Sequence, residues 1–571
     1  MIDLTKAPYY LNEAQITYLE QTIASMTVSE KIGQLFFVIG QDEAMVDLPE
    51  FINKYKPGGM MYRPDKAEKI DRQVTTAQTA SRVPLFISAN LESGGNGIVA
   101  EGTWVGMPLQ IAATNEPKNA YHLGQIAGTQ ANQVGVNMAF APIIDIDTNF
   151  RNPITNTRTF GSDCGKIKTM ASEQIKGFQE ADILPVIKHF PGDGVDERDQ
   201  HLLSSVNSLS ADDWWNSYGK LYQEFIQEGI GCVMVGHIYQ PALERIFAPE
   251  IKDQELLPAS CSKILVTDLL RGEMGFNGLV ITDATPMLGY TTLMPRAELL
   301  VATINAGVDM LLFNKNIDED YAAIEAALAN GQLSLARIEA SVIRILATKL
   351  AQGVIDLARG QDVVESQAIE ARAFQIEPAH QQIVEEIARQ SVTLVKNREE
   401  HLPILPEKYP RIRLVILGDS DEGGFKEGGK VGGLFKDELT EAGFEVQLYD
   451  AHRLDFHEVF EEGVADLKKK FDLALYVANI ETASNQTTTR LQWVQLMAAN
   501  APWFEKEIPT VFVSTANPYH LFDVPYISTF INAYTGNPAT VKATVRKLMG
   551  QETFEGISPV DPFCGDMFAR L

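Results

Sequence analysis

Short apolar runs recur through the first half of the chain at the spacing of strand–helix units. Leu35–Ile39, Gly58–Tyr62, Val83–Ala89, Val136–Ala141, Ile183–Lys188, Cys232–His237, Gly278–Thr282 and Val308–Phe313 make eight. Between them lie stretches of helical period, at Lys66–Arg82, Pro117–Val134, Lys166–Ala181, Ala211–Glu228 and Ser260–Met274. The runs lack the apolar–polar alternation of a sheet wetted on one face, so they suit parallel strands buried on both faces. Eight such units in succession predict an α/β fold, an N-terminal (β/α)8 barrel of the TIM type. Ahead of it, residues 13–35 are helical in pattern. Within them Thr27-Val28-Ser29-Glu30 fits a capping box that opens a second helix carrying Ile32 and Leu35.

A chain of 571 residues exceeds one ordinary core. The barrel is expected over 1–355, closed by a helix at Leu333–Ala351, with a linker over 356–380 that is rich in Glu, Gln and Ala. From there Ile383–Val395 reads as helical and then apolar. Strand-like runs follow at Arg413–Leu417, Val446–Tyr449, Leu473–Val477, Thr510–Ser514 and Ile527–Asn532. Residues 381–571 are therefore expected to form a C-terminal α/β sandwich domain. The Gly418-Asp419-Ser420 turn and the glycine-rich 423–433 tract match neither dinucleotide nor P-loop patterns, so no nucleotide site is inferred.

A net charge of −27 argues against a general binder of nucleic acid or of anionic membrane, since both would be repelled. No run of eighteen apolar residues predicts a membrane span. The N-terminus lacks a basic segment followed by an apolar core, so no secretory signal is read and the cytoplasm is the expected address. Cys164, Cys232, Cys261 and Cys564 form no C-x-x-C pair and are too sparse for a disulfide framework. No H-x-x-x-H or H-E-x-x-H spacing occurs, so neither a metal nor another cofactor is expected. The oligomeric state is not legible.

A barrel of this type carries its chemistry at the C-terminal ends of its strands. Those ends hold Asn90-Leu91-Glu92 after the third run, Asp145 and Asp147 after the fourth, Lys188-His189 after the fifth, His237 after the sixth and Asp283 after the seventh. The richest stretch is Lys188-His189-Phe190-Pro191-Gly192-Asp193-Gly194, which continues to Asp199-Gln200-His201. Two readings stand for each group. Asp283 is either a reactive carboxylate or a cap on the turn at Thr285-Pro286. Asp199-x-His201 is either an oriented imidazole or a solvated loop. Lys188 and His189 either donate to a ligand or sit satisfied on the rim. His237 is either a rim residue or part of the pocket lining.

Taken in series, these segments resemble glycoside hydrolase family 3, and within it the β-N-acetylglucosaminidase branch. Glu30-Lys31-Ile32-Gly33-Gln34 looks like the family's opening helix, and Phe140-Ala141-Pro142-Ile143-Ile144-Asp145-Ile146-Asp147 like its fourth-strand signature. Asn152-Pro153-Ile154-Thr155-Asn156-Thr157-Arg158-Thr159-Phe160-Gly161 resembles the segment whose arginine contacts substrate. Lys188-His189-Phe190-Pro191-Gly192 through His201 is similar to that branch's hallmark loop. Gly278-Leu279-Val280-Ile281-Thr282-Asp283 looks like the nucleophile strand, and Ser391–Asn397 like the entry to the C-terminal domain. The resemblance implies a retaining exo-glycosidase that releases terminal β-linked N-acetylglucosamine from glycans or peptidoglycan-derived fragments, as in peptidoglycan recycling. It makes Asp283 the nucleophile, His201 the general acid/base and Asp199 its partner, with Lys188, His189 and Arg158 holding sugar hydroxyls and the N-acetyl group.

The chemistry is sound on its own terms. A histidine titrates near neutral pH, so it can give and retake a proton, and a carboxylate two residues away can fix its tautomer. Three departures bear on specificity. Asn90 stands where the family pattern has an acid, which makes any bond to a sugar hydroxyl weaker, with Glu92 close by. Gln200 stands where a small hydroxyl residue is usual between Asp199 and His201. Ala284-Thr285-Pro286-Met287 follow the nucleophile position where another acid and a serine are frequent, and Met287 is expected to wall the pocket. Three further readings stay open. One is a phosphorylase that uses phosphate as acceptor, since an imidazole acid/base does not repel an anion. Another is a related β-glycosidase. The third is a sugar-binding protein without catalysis.

Overall fold

The computed structural model describes residues 2–40, 46–357, 374–419, 430–449, 459–495 and 497–571. Most of the expected linker and most of the glycine-rich 423–433 tract lie outside the described residues. The chain divides into two compact units. One comprises Met1–Trp104, Ala120–Asn149 and Ile167–Glu377, the other Val105–Asn119, Phe150–Lys166 and Pro378–Leu571.

In the first unit the eight apolar runs are eight strands: β1 (Phe36–Ile39), β2 (Gly59–Met61), β3 (Phe86–Ala89), β4 (Met138–Ala139), β5 (Leu184–Phe190), β6 (Cys232–Val235), β7 (Leu279–Ala284) and β8 (Met310–Leu312). They close a barrel in the order β1-β8-β7-β6-β5-β4-β3-β2, with every pairing parallel. Most strands are shorter than their runs, because the flanking apolar residues are buried without joining the ladder. Side chains such as Phe36, Phe86, Ile87, Val186, Met234, Ile281 and Met310 fill the core. The helical segment expected over 13–35 is two helices, Glu13–Ser25 and Val28–Gln34. Thr27 causes the break. Its side chain caps Glu30 N–H, and Glu30 Oε2 accepts from Thr27 N–H at 2.8 Å, the reciprocal capping box read from the sequence.

The register between β5 and β6 shifts between Ile187 and Phe190, the segment that holds Lys188 and His189. An extra residue in a ladder bends the strand and redirects side chains, and such bulges concentrate beside active sites.

The second unit holds a six-stranded sheet of β9 (Thr393–Asn397), β10 (Arg411–Leu417), β11 (Glu445–Leu448), β12 (Leu473–Ala478), β13 (Thr510–Ser514) and β14 (Thr529–Asn532) in the order β9-β14-β13-β12-β10-β11. Only β9 runs antiparallel to its neighbour. The segment read as helical and then apolar over 383–395 is the helix Pro378–Ser391 followed almost at once by β9. The expected barrel boundary at 355 placed residues 105–119 and 150–166 in the first unit, whereas they pack with this sheet. Leu109 and Ala113 share a core with Tyr519, Tyr534 and Val560. Gln110 Nε2 donates to Ser391 Oγ at 3.1 Å and Thr540 Oγ1 at 2.8 Å. Among the described residues, no helix is long and apolar enough to cross a membrane.

Candidate active site

The site is built outward from the end of β5. The turn Pro191-Gly192-Asp193-Gly194 rests on a buried aromatic floor. Trp214 Nε1 donates to Pro191 O at 2.8 Å, and Tyr218 Oη donates to Asp193 O at 2.6 Å. Two glycines are obligatory here. Gly192 has φ +116° and a Cβ on it would lie 2.1 Å from Tyr218 Cδ1, while a Cβ on Gly194 would lie 2.0 Å from Ile146 O. Asp145, from the end of β4, ties the turn down. Its Oδ1 accepts from His189 N–H at 3.0 Å and Asp193 N–H at 2.8 Å. Its Oδ2 lies 2.7 Å from His189 Nδ1. With Nδ1 held in this way, His189 presents Nε2, which stands 3.7 Å from Asp283 Oδ2.

Asp283 lies at the end of β7 with its side chain 14% exposed, and its Oδ1 accepts from Ala284 N–H at 2.7 Å. Burial pushes the carboxyl up, but the facing imidazoles of His189, His237 and His201 and the Ala284 amide outweigh it and hold the group at about 2. His201 Nδ1 lies 2.7 Å from Asp199 Oδ1, which also accepts from His201 N–H at 2.8 Å. Asp199 is fully buried, whereas His201 is partly exposed. A carboxylate on Nδ1 leaves Nε2 as the nitrogen that can pass a proton to a ligand.

His237 does not line a pocket. It is completely buried, with Nδ1 2.9 Å from Ser260 Oγ and Nε2 donating to Ala284 O at 3.0 Å. Burial lowers its pKa against the opposing pull of Asp283 and of the bond to Ala284, and the imidazoles of His201 and His189 add to the fall. A neutral ring donating from Nε2 fits those contacts, and it fixes the turn that carries Asp283. Lys188 Nζ is buried and donates to Glu92 Oε1 at 2.8 Å, so Glu92 balances a lysine. Asn90, at the end of β3, is exposed, and Met287 is buried at the turn after β7, its N–H bonded to Ala284 O. Arg158 falls among the residues of the second unit, where its Nη1 donates to Ile154 O at 3.1 Å.

Of the groups read from the sequence, the structure gathers Asp283, His201, Asp199, Lys188, His189 and Glu92 at the C-terminal ends of barrel strands. Asp145 was visible as a polar strand end but carried no assigned role, and the contacts of Gln200 and Ser260 left no sequence signal. Among the described residues, no cluster of three or more His, Cys, Asp or Glu side chains is placed to hold a metal ion.

The family model for the glycosyl hydrolase family 3 N-terminal domain matches residues 27–348. The chain belongs to glycosyl hydrolase family 3. Within that family, a β-N-acetylglucosaminidase/β-glucosidase of Cellulomonas fimi is 42% identical over 575 residues and matches all of both chains. Among solved structures, a β-glucoside phosphorylase, BglX, bound to 2FGlc shares 43% identity at a TM-score of 0.91, covering 99% of each chain. A family 3 β-N-acetylglucosaminidase from Paenibacillus sp. shares 25% identity at a TM-score of 0.77, covering 94% of this chain and 99% of that one. As a family 3 member the protein is a glycosidase acting on carbohydrate. The names of its family 3 relatives span N-acetylglucosaminides and β-glucosides, and both glycosidase and phosphorylase activity.

Proposed function

We propose that the protein removes terminal β-linked N-acetylglucosamine from glycans or peptidoglycan-derived fragments by a retaining double displacement. Asp283 is the nucleophile, His201 the acid/base and Asp199 the group that orients it. The observation that carries this reading is the 2.7 Å contact of His201 with buried Asp199, beside a carboxylate held ionised at the barrel mouth. In the first step an Asp283 oxygen attacks the anomeric carbon. The bond to the aglycone oxygen breaks, and His201 Nε2–H protonates that oxygen, so the aglycone leaves as an alcohol. In the second step an acceptor oxygen attacks the same carbon and releases the Asp283 carboxylate. Two inversions leave the product in the β configuration. In this reading Lys188, His189 and Asn90 contact the sugar hydroxyls, and Asn90, being neutral, grips less firmly than a carboxylate would.

Water is the acceptor in this reading, with His201 now accepting its proton. A second reading, phosphorolysis, has its own support. The acid/base is an imidazole, which does not repel a phosphate dianion as a carboxylate would, and phosphate needs no deprotonation to attack. The likeness to a β-glucoside phosphorylase points the same way. The test supplies 4-nitrophenyl β-N-acetylglucosaminide and the matching β-glucoside, with and without inorganic phosphate, and identifies the sugar product. Nitrophenol release with free N-acetylglucosamine under both conditions supports hydrolysis. A sugar 1-phosphate that forms only with phosphate supports the second reading. Absence of turnover of either glycoside overturns both.

A further inference from the structure

The residue between the two members of the Asp199–His201 pair is the unusual Gln200, and it is buried. Its Nε2 donates to Asp193 Oδ2 at 3.2 Å, and its Oε1 accepts from His237 N–H at 2.9 Å. Its own carbonyl accepts from Gly289 N–H at 3.2 Å, next to a bond from Leu288 N–H to His201 O at 3.0 Å. Ser204 Oγ closes the same seam by donating to Gly289 O at 2.6 Å. The bonds therefore run without a gap across the site. Asp145 holds His189 and Asp193, Asp193 holds Gln200, Gln200 holds His237, and His237 holds the carbonyl of Ala284, next to Asp283.

We propose that Gln200 is a positioning residue that sets His201 relative to Asp283 by tying the acid/base loop to both neighbouring strand ends. The proposal rests on the assignment of His201 as acid/base. A small hydroxyl side chain at this position cannot span from Asp193 to the His237 amide, so the loop would keep its bonds to Leu288, Gly289 and the His237 carbonyl, the last from Ser205 N–H at 3.3 Å, but lose its side-chain tie to Asp193. A buried amide with both ends bonded narrows the range of positions open to the loop, and proton transfer is sensitive to displacements well under an ångström.

The test uses the full-length protein and a series of aryl β-glycosides, from 2,4-dinitrophenyl, which departs unprotonated, to phenyl, which needs the acid. Gln200→Met keeps the volume and removes both side-chain bonds. Its kcat/KM is expected to fall roughly 10- to 100-fold for the phenyl glycoside, a fraction of what general acid catalysis supplies, and by less than about 3-fold for the dinitrophenyl glycoside. Gly289→Ala keeps the amide but places a Cβ 2.4 Å from Gln200 O, pushing the loop from its other side. It is expected to show the same steepened dependence on leaving group. If the loss is equal across leaving groups in both variants, or if neither loses activity, Gln200 does not position the acid. If the wild-type protein itself cleaves none of the series, the assignment beneath the proposal has failed instead.

Discussion

Asp283→Asn is expected to lower turnover of every aryl glycoside by on the order of 10⁴-fold or more, the scale seen when a covalent catalytic group is removed. The substitution is close to isosteric. The asparagine Oδ1 can still accept from Ala284 N–H, as Asp283 Oδ1 does at 2.7 Å, so the turn after β7 has no reason to move. What disappears is the charge, and with it an oxygen able to bond to the anomeric carbon. Azide sharpens the measurement. Added to Asp283→Gly, it should restore aryl release and give the α-glycosyl azide, because one displacement replaces two. Added to His201→Gly with an activated substrate, it should give the β azide. A variant Asp283→Asn that keeps a tenth of wild-type turnover would place the nucleophile elsewhere. The carboxyl at about 2 also lies below its unfolded value near 3.9. Its contribution to stability is therefore present above about pH 4 and is lost as the pH falls towards 2. Across the usual assay range Asp283 stays ionised, so any acidic limb of the rate profile belongs to another group.

A second large effect is expected far from the chemistry. Lys349, on the helix Leu335–Ala351, is completely buried. Its Nζ donates to Gln34 Oε1 at 3.0 Å and lies 5.2 Å from the centre of the Phe86 ring. Burial depresses its pKa to about 7. The unfolded chain, with an ordinary lysine near 10.4, binds more protons than the folded one between those values, so stability rises with pH through that window. The penalty is full below about pH 7 and vanishes above about 10.4, and it amounts to on the order of 3–5 kcal/mol. Lys349→Met removes the penalty and leaves Gln34 Oε1 without the lysine, at a cost of about 1–2 kcal/mol. The variant should therefore melt several degrees above wild type at pH 6, and the difference should shrink and change sign towards pH 10. Calorimetry of both proteins at the two pH values decides it. A variant that is destabilised by the same amount at each would mean that the lysine is not strained by its burial.

The barrel was legible because its strands are buried on both faces, which writes each of them as an unbroken apolar run. What blurred was the place where two periodicities overlap. Ala388 belongs to a helical face, Val392 alone separates the helix from β9, and Leu394 follows in the strand, so the sequence reads as helical and then apolar without marking a separate strand. The site divides in the same way. Lys188, His189, Asp283, Asp199 and His201 stand out because each breaks an apolar run or sits in a polar loop. Asp145 and Gln200 do their work by accepting from backbone amides 44, 48 and 37 residues away, and no local pattern records such a partner. The enclosure of His237 is decided by Ser260 and by the carbonyl of Ala284, and is likewise invisible along the chain.

The make-up of the second unit bears on how the protein is synthesised. Its core includes Leu109 and Ala113, and Gln110 bonds Ser391 and Thr540. Those early residues leave the ribosome long before the sheet they serve exists. Their partners in that core are not made until more than half the chain has been translated after them. A fragment beginning at Pro378 would carry the sheet without Leu109 and Ala113, leaving Tyr519 and Tyr534 short of those partners. The two halves of this enzyme are thus not interchangeable modules, and a gene cut between them would separate neither half intact.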